Sequence, residues 1–307
     1  MSKFLTGKGR QCGTVAAALA LVSFDQTQAA INYTTPGSLY SENFDGLPTD
    51  APNNAALQPA PYTNGWQDDT TTVAGDHVSV AGWYLYHPLI PTGAEIGSNG
   101  HQRLRMGNGS NTGGFWAFSN TNPANTEKAL GEIGSNTVAD PAAVNPAERN
   151  LYLALRLTNN TGATLDNFTL TFDGEQWRDG QATTGETLSF DYSTTATTVD
   201  WFSTAAFTAV PALNFTSPVV AGISTTGTAV DGNVAGRVED ISATVSGVAW
   251  APGTDLWLRW SDPNGAGADD GLAVDDVRFS AAVPEPAGVV LFALGAVSLL
   301  GRRPPRP

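Results

Sequence analysis

Between residues 150 and 280 apolar and polar positions alternate with a period of two. Leu151, Leu153, Leu155 and Leu157 are interleaved with Tyr152, Ala154 and Arg156, which predicts a half-buried strand. Asn159-Asn160-Thr161-Gly162 supplies a turn, after which Phe168, Leu170 and Phe172 resume the alternation against Thr169 and Thr171. Leu188, Phe190 and Tyr192 repeat it, then Ile241, Ala243 and Val245, then Leu256, Leu258 and Trp260 with Trp257 and Arg259 on the other face. Clusters of Gly, Pro, Asn, Asp and Thr separate the runs. No body segment sustains a helical period; the nearest, Ala139 to Arg149, contains Pro141 and Pro146. The expected fold is all-β, two antiparallel sheets packed as a jelly-roll or concanavalin-like sandwich.

Residues 30–150 carry a weaker pattern, with short apolar pieces such as Val78 to Leu85 and Gly114 to Phe118. They read as the first strands of the same sandwich joined by long loops. The alternative is a small separate domain, with Asp140 to Arg149 as linker.

Within the last strand the alternation slips. Leu272 and Val274 share a face and would turn Asp276 inward, yet Val277 and Phe279 are apolar in the opposite phase. A bulge at Asp275-Asp276 accounts for the slip and re-aims both carboxylates. Buried acids need an arginine, backbone donors or a cation. The opening strand brings Glu42 and Asp45, and first and last strands often adjoin in sandwiches. Glu42, Asp45, Asp275 and Asp276 are therefore the candidate ligands of a structural Ca²⁺, an ion that takes oxygen donors. The other reading pairs Asp275 or Asp276 with Arg278, Arg259 or Arg237 and needs no metal. A second acidic stretch, Asp262 to Gly271, lacks EF-hand spacing and reads as a solvated hairpin.

The polar-aromatic sextet Gly174-Glu175-Gln176-Trp177-Arg178-Asp179 has two readings as well. Trp177 could stack on a sugar while Glu175 and Arg178 bond hydroxyls. Alternatively Trp177 packs at the sheet edge and Arg178 pairs with an acid of a neighbouring strand. Catalytic constellations are not legible. His77, His87 and His101 form no close pair, and neither a Gly-x-Ser-x-Gly elbow nor a Walker loop occurs. The chain is expected not to be an enzyme.

Charge and termini narrow the setting. Lys3, Lys8 and Arg10 precede an apolar stretch from Gly13 to Phe24, and Thr27-Gln28-Ala29 offers small residues for cleavage, so 1–29 reads as a secretory signal peptide. The only cysteine, Cys12, leaves with it, which excludes thiol chemistry from the body. Six of the 15 basic residues and one of the 29 acidic ones lie in the terminal segments; residues 30–286 keep nine against 28, a net charge of −19. Such a surface repels phosphate backbones and argues against nucleic acid as a partner.

At the other end Val283-Pro284-Glu285-Pro286 precedes an apolar run from Ala287 to Leu300, followed by Arg302, Arg303 and Arg306. As a helix the run spans about 21 Å, short of a hydrocarbon core of roughly 30 Å. The prolines stop the helix upstream, and the arginines hold the far end on the cytoplasmic side. Proline box, short apolar helix and arginine tail together resemble the PEP-CTERM sorting signal of Gram-negative bacteria. An ordinary tail anchor is the other reading. The resemblance implies an exosortase-type processing enzyme, transient anchoring of 283–307 in the inner membrane, and release to the cell surface or exopolysaccharide matrix. The body, 30–282, resembles extracellular sandwiches that carry this signal, through Ser41 to Pro48, Asn159 to Gly162, Gly174 to Arg178, Asp255 to Trp260 and Gly271 to Asp276. The early Phe-Asp and late Val-Asp-Asp also look like the ion site of MAM-type and carbohydrate-binding jelly rolls, where the ion fastens the termini. The expected function is that of an exported, non-catalytic structural or adhesive protein. The alternative is a calcium-stabilised module that binds an extracellular polysaccharide, and behind it an extracellular glycan hydrolase.

Overall fold

The computed structural model describes residues 30–47, 80–88, 105–107, 113–120, 127–136, 138–145, 149–198, 200–203, 205–221 and 225–283. The signal segment 1–29 lies outside them, as do the sorting residues Pro284, Glu285, Pro286, Arg302 and Arg303 with the run 287–300. No helix among the described residues is long and apolar enough to cross a membrane.

Two sheets form a sandwich. The first contains β1 (Ile31–Tyr33), β3 (Trp83–Tyr86), β7 (Asn150–Asn159), β9 (Thr187–Ser193), β10 (Thr208–Ala209), β11 (Phe215–Thr216) and β14 (Asp255–Pro263). Its spine is β7-β14-β9, antiparallel throughout, with Leu258 opposite Leu155 on one side and Tyr192 on the other. The second contains β2 (Tyr40–Glu42), β4 (Arg105–Gly107), β5 (Gly114–Phe118), β6 (Ala129–Ile133), β8 (Leu165–Asp179), β12 (Thr228–Ala229), β13 (Arg237–Trp250) and β15 (Gly271–Ala282), in the order β12-β8-β15-β6-β5-β4. There β13 pairs with β8 and β2 with β15. Strands from residues 30–150 thus contribute to both sheets, and the second strand adjoins the last, with Glu42 opposite Val277 and Tyr40 opposite Phe279, while β1 pairs with β7.

The inner faces meet through large aromatics. Trp260 stacks on Trp83 at 5.5 Å and meets Phe172 of the opposite sheet edge-on, also at 5.5 Å. Phe44 closes the near end against Trp83. Burial of this kind, about 25 cal/mol per Å² of apolar surface removed from water, explains how the body holds without a disulfide.

Alternation along β14 predicts one buried face, but both faces are buried. The chain after β9 folds back over the outer side of the first sheet and lays Trp201 flat on Trp257, at 5.5 Å with 8° between the rings. Tyr86 stacks on Phe202 in the same layer. Arg259 is sealed beneath, forking to both oxygens of Asp191 (2.9 and 2.7 Å) and donating to the Trp201 carbonyl.

Candidate functional site

The slip in β15 is a bulge. Its register with β8 shifts between Asp275 and Arg278, and Asp276 adopts φ +48°. Before the bulge Leu272 and Val274 fill the core, which leaves Asp275 on the outer face of the second sheet; after it Val277 and Phe279 return to the core. Glu175, two residues before Trp177, lies on that same outer face of β8. Glu127 precedes Ala129 on the strand on the other side of β15. Strand order β8-β15-β6 therefore sets the three acids side by side.

One carboxylate oxygen from each of Glu127, Glu175 and Asp275 lies within 4.8 Å of the other two. Ca²⁺ holds oxygens at about 2.3–2.6 Å, so ligands on opposite sides of it stand about 5 Å apart. The trio fits that ion. Its donor set is all oxygen, and two of its members have spare capacity. Glu175 accepts the Trp177 indole N–H through Oε2 (2.9 Å) and keeps a buried Oε1 without a donor. Asp275 Oδ1 is buried in the same condition. Burial, and behind it the neighbouring acid charges, lift Glu175 to about 7 and Asp275 well above the carboxylate range. A cation would reverse both shifts.

Of the four ligands read from sequence, only Asp275 joins this group. Asp276, at the bulge, turns away with its side chain 47% exposed and meets Arg237 at 3.4 Å. Glu42 Oε1 accepts the N–H of Phe44 (2.9 Å), a residue held at φ +54°. Asp45 is exposed and accepts from the Asn43 side chain. Glu42 and Asp276 instead line an open hollow of about 470 Å³ with Ser41, Asn43, Val277 and Arg278. The arginine alternative holds for Asp276, which shares Arg237 with a second acid: Arg237 also forks onto Asp173, whose other oxygen accepts the Asp240 N–H.

The sugar-stacking reading of Trp177, Glu175 and Arg178 does not survive their burial. Trp177 is fully buried, stacked on Phe118 at 5.9 Å with parallel rings, and Gly232 packs so close that a Cβ there would lie 2.3 Å from the indole. Arg178 donates to the carbonyls of Asp269 and Thr226 rather than to an acid. Every described tryptophan is buried: Trp83, Trp116, Trp177, Trp201, Trp250, Trp257 and Trp260. Beside Arg178 a cleft of about 460 Å³ opens between Asn136, Thr226 and Asp269. The Asp262–Gly271 stretch at its rim is no solvated hairpin. Asp262, Asn264, Asp269 and Asp270 are buried, and Asp270 binds back to Gly180 N–H and Glu186.

No protein-family profile matches this sequence, and no curated protein is similar to it. Among solved structures, the chain is similar to the CBM22-1 xylan-binding domain of Paenibacillus barcinonensis Xyn10C, at 9% identity over 82% of this chain and 100% of that one, with a TM-score of 0.34. The K3 cleaved adhesin domain of Lys-gingipain from Porphyromonas gingivalis follows at 16% identity, over 66% of this chain and 93% of that one, TM-score 0.33. TmCBM61, solved with β-1,4-galactotriose, matches at 10% identity over 52% and 73%, TM-score 0.24. At these values no ligand and no residue role is transferred from them.

Proposed function

We propose that this chain is an exported, non-catalytic sandwich that serves a structural or adhesive role at the cell surface or in the exopolysaccharide matrix. Its C-terminal segment acts as a PEP-CTERM-type sorting signal handled by an exosortase-type enzyme, and a Ca²⁺ bound by Glu127, Glu175 and Asp275 ties three strands together. The observation that carries the non-lectin reading is the burial of all seven described tryptophans, which leaves none of them as a platform for a sugar ring. The open side of β13 and β8 is instead a hydroxyl surface, with Thr169 bonded to Thr244 (2.8 Å) and Thr171 to Ser242 (2.7 Å).

A glycan array probed with the full chain, with and without calcium, tests this reading; flat signals in both arms are expected. Fractionation of cells expressing the chain should place the body at the surface, and replacing Pro284-Glu285-Pro286 by alanines should hold it in the inner membrane. Polysaccharide binding is the second reading, favoured by the polar cleft beside Arg178. A saturable array signal lost on mutating Asn136 and Thr226 would establish it.

A further inference from the structure

A second pair of acids is buried more deeply than the trio, inside the sandwich. Glu132 belongs to β6, opposite Phe115 of β5 and Leu272 of β15, both core residues. Asp262 belongs to β14 of the other sheet, two residues beyond the core Trp260 and opposite the core Leu151. Both acids are 0% exposed. All four of their carboxylate oxygens are buried without a hydrogen-bond partner.

The two strand ends meet. Gly134, two residues after Glu132, approaches so closely that a Cβ on it would lie 3.1 Å from Asn264 Cα and 3.1 Å from Asp269 Oδ2. Asn264, two residues after Asp262, has its amide fixed: Nδ2 donates to Asn136 Oδ1 (3.1 Å) and the Ala139 carbonyl (2.7 Å). That leaves its Oδ1 as a fifth buried oxygen without a donor. The strongest charges acting on Asp262 are Glu132, Glu186, Asp269 and Asp270, all of them acids.

A buried carboxylate persists only when a proton or a cation neutralises it. No N–H or O–H donor reaches either acid, so neutralisation falls to protons that they carry themselves or to a cation. An oxygen-coordinated cation needs no such donor, because its ligands stand about 5 Å apart across it. We infer that Glu132 and Asp262, with the side-chain carbonyl of Asn264, form an internal binding site for a divalent cation of the calcium class, distinct from the outer trio and clamping the two sheets together at this end. The donors are hard oxygens with no nitrogen or sulfur, which suits Ca²⁺ and disfavours softer metals such as Zn²⁺ and Cu²⁺.

The test counts ions on the full chain. Calcium titration by calorimetry, and terbium luminescence excited through tryptophan, should both report two sites per chain. Asp275→Asn should abolish the trio and leave one site, with a calcium-induced rise in Tm still present. Glu132→Gln and Asp262→Asn should each remove the other site, weakening it at least ~10-fold, and leave the trio. If Asp275→Asn removes all calcium response, the inference fails. It also fails if Asp262→Asn keeps both ions, or if the Glu132→Gln/Asp262→Asn double variant melts higher than the parent in calcium as well as in chelator, since the pair is then protonated and ion-free. Should Asp262→Asn not fold, the Asp275→Asn arm decides alone.

Discussion

The outer faces of the two sheets treat charge in opposite ways. On the first sheet each arginine meets its acid: Arg259 forks onto Asp191 and lies over the rings of Phe207 (3.5 Å) and Tyr152 (4.7 Å). Arg156 pairs with Asp255 at 2.7 Å and donates to the Tyr84 hydroxyl. On the second sheet Arg237 is committed to Asp173, and Glu175 and Asp275 keep oxygens without donors. One face pairs its buried acids within the polypeptide, whereas on the other the arginines are taken by Asp173 and Asp240 and leave Glu175 and Asp275 without a bonded partner for one oxygen each. The lesson is that burial alone does not mark a site; burial without a counter-charge does.

Breaking the complete face should have the largest effect. Arg259→Ala strands Asp191 beneath the Trp201 layer and should cost about 3–5 kcal/mol, the usual loss when one partner of a buried pair is removed, read by urea denaturation. On the incomplete face the expected lever is the ion. At a calcium concentration about 100-fold above Kd the gain is about 2.7 kcal/mol, equivalent to a Tm rise of roughly 5–10 °C for a body of this size. Removal of calcium by chelator should reverse it, and Glu175→Gln and Asp275→Asn should each blunt it.

Acidity should separate the faces further. In the metal-free protein burial raises Glu175 to about 7 and Glu186 to about 8, above their unfolded value of 4.5. The folded state then binds more protons than the unfolded one, so stability falls as pH climbs from about 4.5 to about 8. Melting of the chelated chain should be highest near the acid end of that window, and calcium should flatten the slope. A chelated Tm independent of pH there would count against the buried, uncompensated state of these acids. The smallest effect belongs to the open hydroxyl surface, where Thr244→Val removes one exposed bond to Thr169 and should change stability by at most about 0.5 kcal/mol.

Much of this was legible from residue phase. The alternating leucines of β7 and the phenylalanines of β8 lie where their period puts them, and the slip at Asp275-Asp276 is a true bulge. Alternation could not reveal the Trp201 layer, because a strand covered on its second face by a returning loop keeps the pattern of a half-exposed one. Nor could it assemble the trio. Glu127 shares the phase of Ala129, but only the order β8-β15-β6, which brings together segments up to about 150 residues apart, sets it beside Asp275. Glu175 was visible as a polar residue next to Trp177, and its partner in that view was a sugar rather than an ion.

The placement of β15 has a mechanical consequence. The strand is bonded to β8 along nearly its whole length, and on its other edge to β6 and then to β2. Its last residues, Ala281 and Ala282, lead directly to Val283, and Ala281 is also gripped by Gly37 and Tyr33. A pull applied from beyond Val283 therefore runs parallel to these ladders, so many hydrogen bonds must fail at once instead of opening one by one. A body held by that end would resist being dragged from its anchorage far better than a strand peeled from a sheet edge.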